Sequence, residues 1–141
     1  MFVCHLIAGF RLKAFIRAKE DPRIILVSDA TAGSCSKPGK YTLGKMILER
    51  QEEDIVYIPG TKNLAGSAST LAQGILNVMD WFKSPLEKAI RWTSEHPRAI
   101  IGLSKTPEVD EMAEWIKWKK INDHWEIKSV RLGNFEVNSK V

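Results

Sequence analysis

Residues 24–28 read Ile-Ile-Leu-Val-Ser, an apolar run that stops at Asp29 and passes into Ala-Thr-Ala-Gly. A short run without alternation fits a β-strand buried on both faces, with Asp29 at its carboxyl end. In α/β proteins that end is where ligands and catalytic groups collect. Before the strand, residues 9–20 carry Phe10, Leu12, Ala14, Phe15, Ile16 and Ala18 among basic residues, a helical stripe stopped by Asp21 and Pro22. After it, residues 33–40 are rich in Gly, Ser, Lys and Pro and read as an exposed loop. Residues 41–49 and 54–58 have the composition of two strands, joined as a hairpin by the polar residues 51–54 and closed by Pro59 and Gly60.

The period then lengthens. Leu71, Ile75, Val78, Met79 and Phe82 recur at spacings of three and four, so residues 66–82 are expected to form a helix with one apolar face. Pro85 suits the first position of another helix, striped by Leu86, Ala89, Ile90 and Thr93 and broken at His96-Pro97. Beyond Leu103 apolar and charged residues alternate over 115–121 and 125–132, and Asn122-Asp123 between them predicts a terminal antiparallel hairpin. The sum is a mixed α/β chain whose one strongly buried strand has no evident parallel neighbour. Its backbone groups need partners on both sides, so the chain reads as the last part of a larger α/β structure.

Composition narrows the functional classes. The chain has 141 residues, enough for one ordinary domain, and 44% of them are hydrophobic. Its 21 basic and 17 acidic residues leave a net +4, spread along the chain rather than massed, which argues against a nucleic-acid partner. The longest apolar stretches, residues 24–27 and 99–103, fall short of the roughly 20 residues that a membrane span needs. The amino terminus shows no secretory pattern, so a reducing cytoplasm is the expected setting. Cys4 and Cys35 have no CxxC partner and are read as small packing residues rather than a zinc or disulfide framework.

Individual residues leave two readings open. Asp29 is either a functional carboxylate or a turn or helix cap acting through its side-chain oxygens. Gly66, lacking a Cβ, permits close approach of a ligand to the backbone, whereas Ser67 can simply cap the helix that follows. His96 and His124 read as a helix-end residue bonding local carbonyls and a residue in a polar turn. Trp115, Trp118 and Trp125 alternate within strands and read as packing residues rather than a sugar platform.

Residues 26–30 (Leu-Val-Ser-Asp-Ala), 41–44 (Tyr-Thr-Leu-Gly) and 63–67 (Asn-Leu-Ala-Gly-Ser) occur in the order found in N-acetylglucosamine-6-phosphate deacetylases, and the chain resembles the carboxyl-terminal third of that family. More loosely, His96-Pro-Arg-Ala-Ile-Ile-Gly102 is similar to the family's Asn-Pro-Ala-Arg-Ala-x-Gly pattern. The family belongs to the amidohydrolase superfamily, so the resemblance implies the end of a metal-dependent (β/α)8 TIM barrel with part of a small β-sandwich. Residues 1–104 would be the last barrel units, with a hairpin excursion over 41–58, and residues 105–141 sandwich strands.

The resemblance also implies roles. Asp29 matches the catalytic aspartate, which takes a proton from a metal-bound water and returns it to the leaving amine. A carboxylate whose basicity is raised in a partly desolvated pocket suits that exchange. His5 matches a substrate-contacting histidine, although the family's Asp-Gly-x-His is here Phe2-Val3-Cys4-His5. Leu64, Ala65, Gly66 and Ser67 match a substrate-contacting loop. The implied cofactor is a divalent metal, zinc or similar, yet the superfamily's His-x-His, glutamate and two further histidines have no counterpart among His5, His96 and His124. No metal ligand is therefore assigned, and the isolated chain is expected to be inert.

The implied reaction converts N-acetyl-D-glucosamine 6-phosphate to D-glucosamine 6-phosphate and acetate, in amino-sugar catabolism. A non-catalytic amidohydrolase-like binding or assembly module is the alternative, and an amidohydrolase acting on another amide a third reading. Besides the amino-sugar phosphate, the expected partner is a second copy or a complementary barrel fragment. It would meet the strand over 24–27 and the stripe of Leu71, Ile75, Val78 and Met79.

Overall fold

The computed structural model describes residues 2–3, 9–19, 21–52, 55–103 and 113–138. The chain divides into two compact units, Met1–Leu103 and Ser104–Val141.

The first unit opens with strand β1 (Phe2–Val3) and helix α1 (Gly9–Ala18), then a single 3-10 turn at Asp21–Arg23 that leads into β2 (Leu26–Val27). Ile24 and Leu26 are buried, as the apolar run demands. The expectation of a strand without a parallel neighbour is corrected here, because β1 pairs with β2 in parallel, Phe2 opposite Leu26 and Val3 opposite Val27. Both are short segments far apart in sequence, and neither shows a pattern that announces the other.

Next come β3 (Gly39–Leu43), β4 (Met46–Arg50), β5 (Ile55–Tyr57) and β6 (Leu64–Ser67), which form one antiparallel sheet in that order. Residues 41–49, read as one strand, are two. The chain reverses at Gly44-Lys45, with Leu43 opposite Met46 and Gly44 at φ 60°, the conformation that a two-residue II′ hairpin needs at its first turn position. The proposed hairpin is thus a four-stranded sheet, and Leu64–Ser67, expected as a loop, is its last strand. Leu48, Val56 and Ala68 form the buried centre beneath it.

Helix α2 (Leu71–Phe82) begins later than residue 66. Thr70 is its N-cap, the hydroxyl accepting from the Gln73 amide at 3.1 Å, so Ser67 is not the cap. Ile75 and Val78 bury the expected face against β2, so that of that stripe Leu71 alone is exposed. Pro85 is the N-cap of α3 (Leu86–Ile90) rather than its first helical residue. The helix does not break at His96-Pro97. It widens into a π turn over Arg91–Glu95 and continues as α4 (His96–Ile100), with the His96 amide donating five residues back to Arg91 O. A wider turn carries the chain past a proline that has no amide hydrogen to give.

The second unit is a meander of β7 (Trp115–Ile121), β8 (His124–Leu132) and β9 (Phe135–Asn138). The expected hairpin is present, with Asn122 and Asp123 at φ 47° and 66° as a type I′ turn requires. β9 extends it by a third strand. Register aligns Ile116, Val130 and Val137 on one face and Lys117, Ser129 and Asn138 on the other, the alternation seen in the sequence. Among the described residues no helix is long and apolar enough to cross a membrane.

Candidate functional site

Asp29 lies just past β2 in the left-handed region, φ 52°, a conformation that Asp adopts more readily than most residues. Its carboxylate is exposed and makes no hydrogen bond or ion pair among the described residues, so it caps neither a turn nor a helix. The backbone does the anchoring. Asp29 O accepts from the Ser67 amide at 2.9 Å, and the Thr31 amide donates to Ser67 O at 3.0 Å, which makes Ala30 and Ser67 a parallel bridge.

Gly66 makes this approach possible. It sits at φ 110°, and a Cβ built on it would collide with Thr31 Cγ2 and stand 3.0 Å from Asp29 O. Only glycine fits both the backbone angle and the space. Two hydroxyls tighten the junction further: Ser67 Oγ accepts from the Ser69 amide at 2.9 Å, and Ser34 donates to Ala68 O at 3.0 Å. Thr31 Oγ1 and Ser69 Oγ are buried beside it and have no hydrogen-bond partner among the described residues.

Of the six residues singled out from the sequence, Asp29, Gly66 and Ser67 are brought together, while Leu64 and Ala65 lie further along β6. His5 lies outside the described residues. His96 bonds no local carbonyl, because Nδ1 is 2.7 Å from Ile24 O, 72 residues away. His124 begins β8 in the second unit and is exposed.

Sequence reasoning missed Asp21, which it treated only as a helix stop. Trp92 Nε1 donates to Asp21 Oδ1 at 2.7 Å, and Lys88 and Arg91 approach the carboxylate at 3.7 and 3.5 Å. Lys88 also stands 5.3 Å from the centre of the Trp92 ring. Burial pushes the Asp21 carboxyl up. The Trp92 hydrogen bond and the charges of Lys88, Arg91 and His96 outweigh that and hold it below its ordinary range. The partners lie some seventy residues downstream, so no local signal marks the cluster.

These donors do not make a site for a divalent metal. Among the described residues no group of three or more His, Cys, Asp or Glu side chains could hold one. The exposed Asp29 carboxylate has no neighbouring donor, and His96 has committed Nδ1 to Ile24 O. The described residues do not fit a resident metal.

No family model matches the chain. It is 31% identical over 81 residues to N-acetylglucosamine-6-phosphate deacetylase of Vibrio furnissii, and 34% identical over 83 residues to that of Rattus norvegicus. These matches take in 57% and 59% of the chain and 20% of each relative, so the chain spans about a fifth of the length of the curated relatives it matches. Solved deacetylases from Pasteurella multocida and Mycobacterium smegmatis superpose with TM-scores of 0.77 and 0.78 at 18% and 20% identity. They cover 94% and 93% of the chain and 34% and 35% of the solved chains, a likeness of fold. A further Mycobacterium smegmatis structure, also at TM-score 0.77, is of a variant in complex with N-acetyl-D-glucosamine-6-phosphate. The resemblance read from the three motifs thus stands: the chain is similar to one part of N-acetylglucosamine-6-phosphate deacetylases, and its coverage fits the carboxyl-terminal part that the motif order implies.

Proposed function

We propose that this chain supplies one side of an N-acetylglucosamine-6-phosphate deacetylase site, acting in the cytoplasm in amino-sugar breakdown. The observation that carries the reading is the junction itself. Two segments matched to the family on separate motifs, residues 26–30 and 63–67, meet through paired backbone hydrogen bonds and leave the Asp29 carboxylate exposed beside them.

In this reading the amide carbon–nitrogen bond of the substrate is hydrolysed. The oxygen of a water adds to the acetyl carbon, its proton passes to the Asp29 carboxylate, and Asp29 returns a proton to the departing amine. Acetate and glucosamine 6-phosphate leave. The sugar would lie against β6 near the exposed Leu64, close to backbone because Gly66 has no side chain. His5 would contact the sugar phosphate. Any divalent metal, the His-x-His set and the rest of the barrel would belong to a complementary polypeptide segment, in keeping with the fifth of the relatives' length that the chain spans. Alone the chain is inactive.

Acetate release from N-acetyl-D-glucosamine 6-phosphate tests this. The chain with zinc should release none. Mixed with the preceding portion of the Vibrio furnissii enzyme it should release acetate, and Asp29→Asn should lower that rate by about 100-fold or more, the usual scale for a proton-transfer group. Release by the isolated chain, or release from the mixture that ignores Asp29→Asn, would overturn the proposal.

A further inference from the structure

The imidazole of His96 reaches out of its own helix to the strand that ends at Asp29. Its Nδ1 is 2.7 Å from the carbonyl oxygen of Ile24. A carbonyl oxygen only accepts, so Nδ1 carries the hydrogen and His96 is the donor. The bond matters because little else fixes the register of this segment. β2 has two residue pairs with β1, and past its end one isolated bridge joins Ala30 to Ser67. A slip of one residue would turn each side chain to the opposite side, Asp29 included.

The helix holds the same segment at a second point. Trp92, four residues before His96 and fully buried, donates to Asp21 at 2.7 Å. Asp21 opens the turn that delivers the chain to Ile24, and the Ile24 amide donates back to Asp21 O at 3.1 Å. The π turn Arg91–Glu95 packs against β2 between these anchors. Distortions of this kind are frequent where a helix has to place a side chain for function.

We propose that His96 is a positioning residue for Asp29. The Nδ1–H bond to Ile24 O sets the register of residues 24–28 and so places the Asp29 backbone where it meets Ser67. The proton-handling role of Asp29 rests on the function proposed above; the positioning does not.

Amide hydrogen exchange on the full chain tests the claim without substrate. The Ser67 and Thr31 amides donate across the junction, so their protection reports whether the strand end is in place. His96→Asn keeps an N–H donor near the position of Nδ1, and His96→Gln moves it out by one methylene. His96→Gln and His96→Ala should speed exchange at these two amides about tenfold relative to the β3–β4 amides, as expected for one lost hydrogen bond. His96→Asn should return it close to that of the unsubstituted chain. Equal behaviour of the Asn and Gln variants, or a rise spread evenly over the first unit, would show that His96 only fills space and would overturn the proposal. Should His96→Ala not fold, the Asn and Gln pair alone decides. In a parallel titration, failure of the unsubstituted chain to bind N-acetyl-D-glucosamine 6-phosphate would count against the proposed function, and the exchange pattern would still judge His96.

Discussion

The meander of the second unit and the Asp29 junction of the first are held together in opposite ways. In the meander β7 and β8 share seven residue pairs, with one register shift between Lys117 and Trp118, and β8 and β9 share four, so backbone bonding is extensive and any single side chain matters little. At the junction β2 has two pairs with β1 and one bridge beyond, and position is set by long-range bonds from Ser67, His96 and Trp92. A scaffold of long ladders tolerates substitution. A site assembled from short pieces is exposed to every anchor it loses.

The largest effect is expected where the junction's support is deepest. Trp92→Ala removes a fully buried side chain and the hydrogen bond to Asp21, and should destabilise the first unit by about 3–5 kcal/mol in chemical denaturation. Exchange at the β7–β9 amides should not change; an equal loss there would erase the contrast. Gly66→Ala should come next, at about 1–3 kcal/mol, because the new Cβ meets Thr31 and Asp29 O at a backbone angle that alanine resists. Its chemical-shift changes should gather in residues 29–34 and 64–69.

Acid should separate the two units by a smaller margin. The Asp21 carboxyl is held below its unfolded value, so it contributes stability that is present above about pH 4 and is lost as pH falls through its folded pKa. Thermal melts of the first unit should therefore weaken below about pH 4, and Asp21→Asn should flatten that dependence. The smallest effect belongs to the meander. Lys120 pairs with the exposed Asp123 at 2.7 Å, and Lys120→Ala should leave the melting temperature unchanged.

The same contrast explains what the sequence discloses. Alternation over 115–132 and the Asn122-Asp123 turn give the meander almost entire, since neighbouring residues of a strand point to opposite faces and the sequence alternates apolar with polar residues. The stripe of Ile75 and Val78 likewise gives α2. Gly44, one glycine inside an apolar stretch, conceals the β3–β4 turn, and Leu64–Ser67 is too short and too rich in small residues to look like a strand. Asp29 was legible as a candidate from its place at a strand end, and Ser67 as a substrate contact only through the resemblance. Their meeting was not, because the amide of one and the carbonyl of the other belong to segments that fold together across nearly forty residues. His96 shows the limit most plainly: His-Pro reads as a helix end, and the carbonyl that holds it lies 72 residues earlier.

The central claim, that Asp29 and the Leu64–Ser67 strand form one site for an amino-sugar phosphate, is tested most directly by titrating the full chain with N-acetyl-D-glucosamine 6-phosphate and following its amide chemical shifts. The account predicts saturable changes shared by residues 29–31 and 64–67, with one common dissociation constant, while the β7–β9 amides stay still. Changes confined to one of the two segments, centred elsewhere, or absent at millimolar sugar phosphate would contradict it.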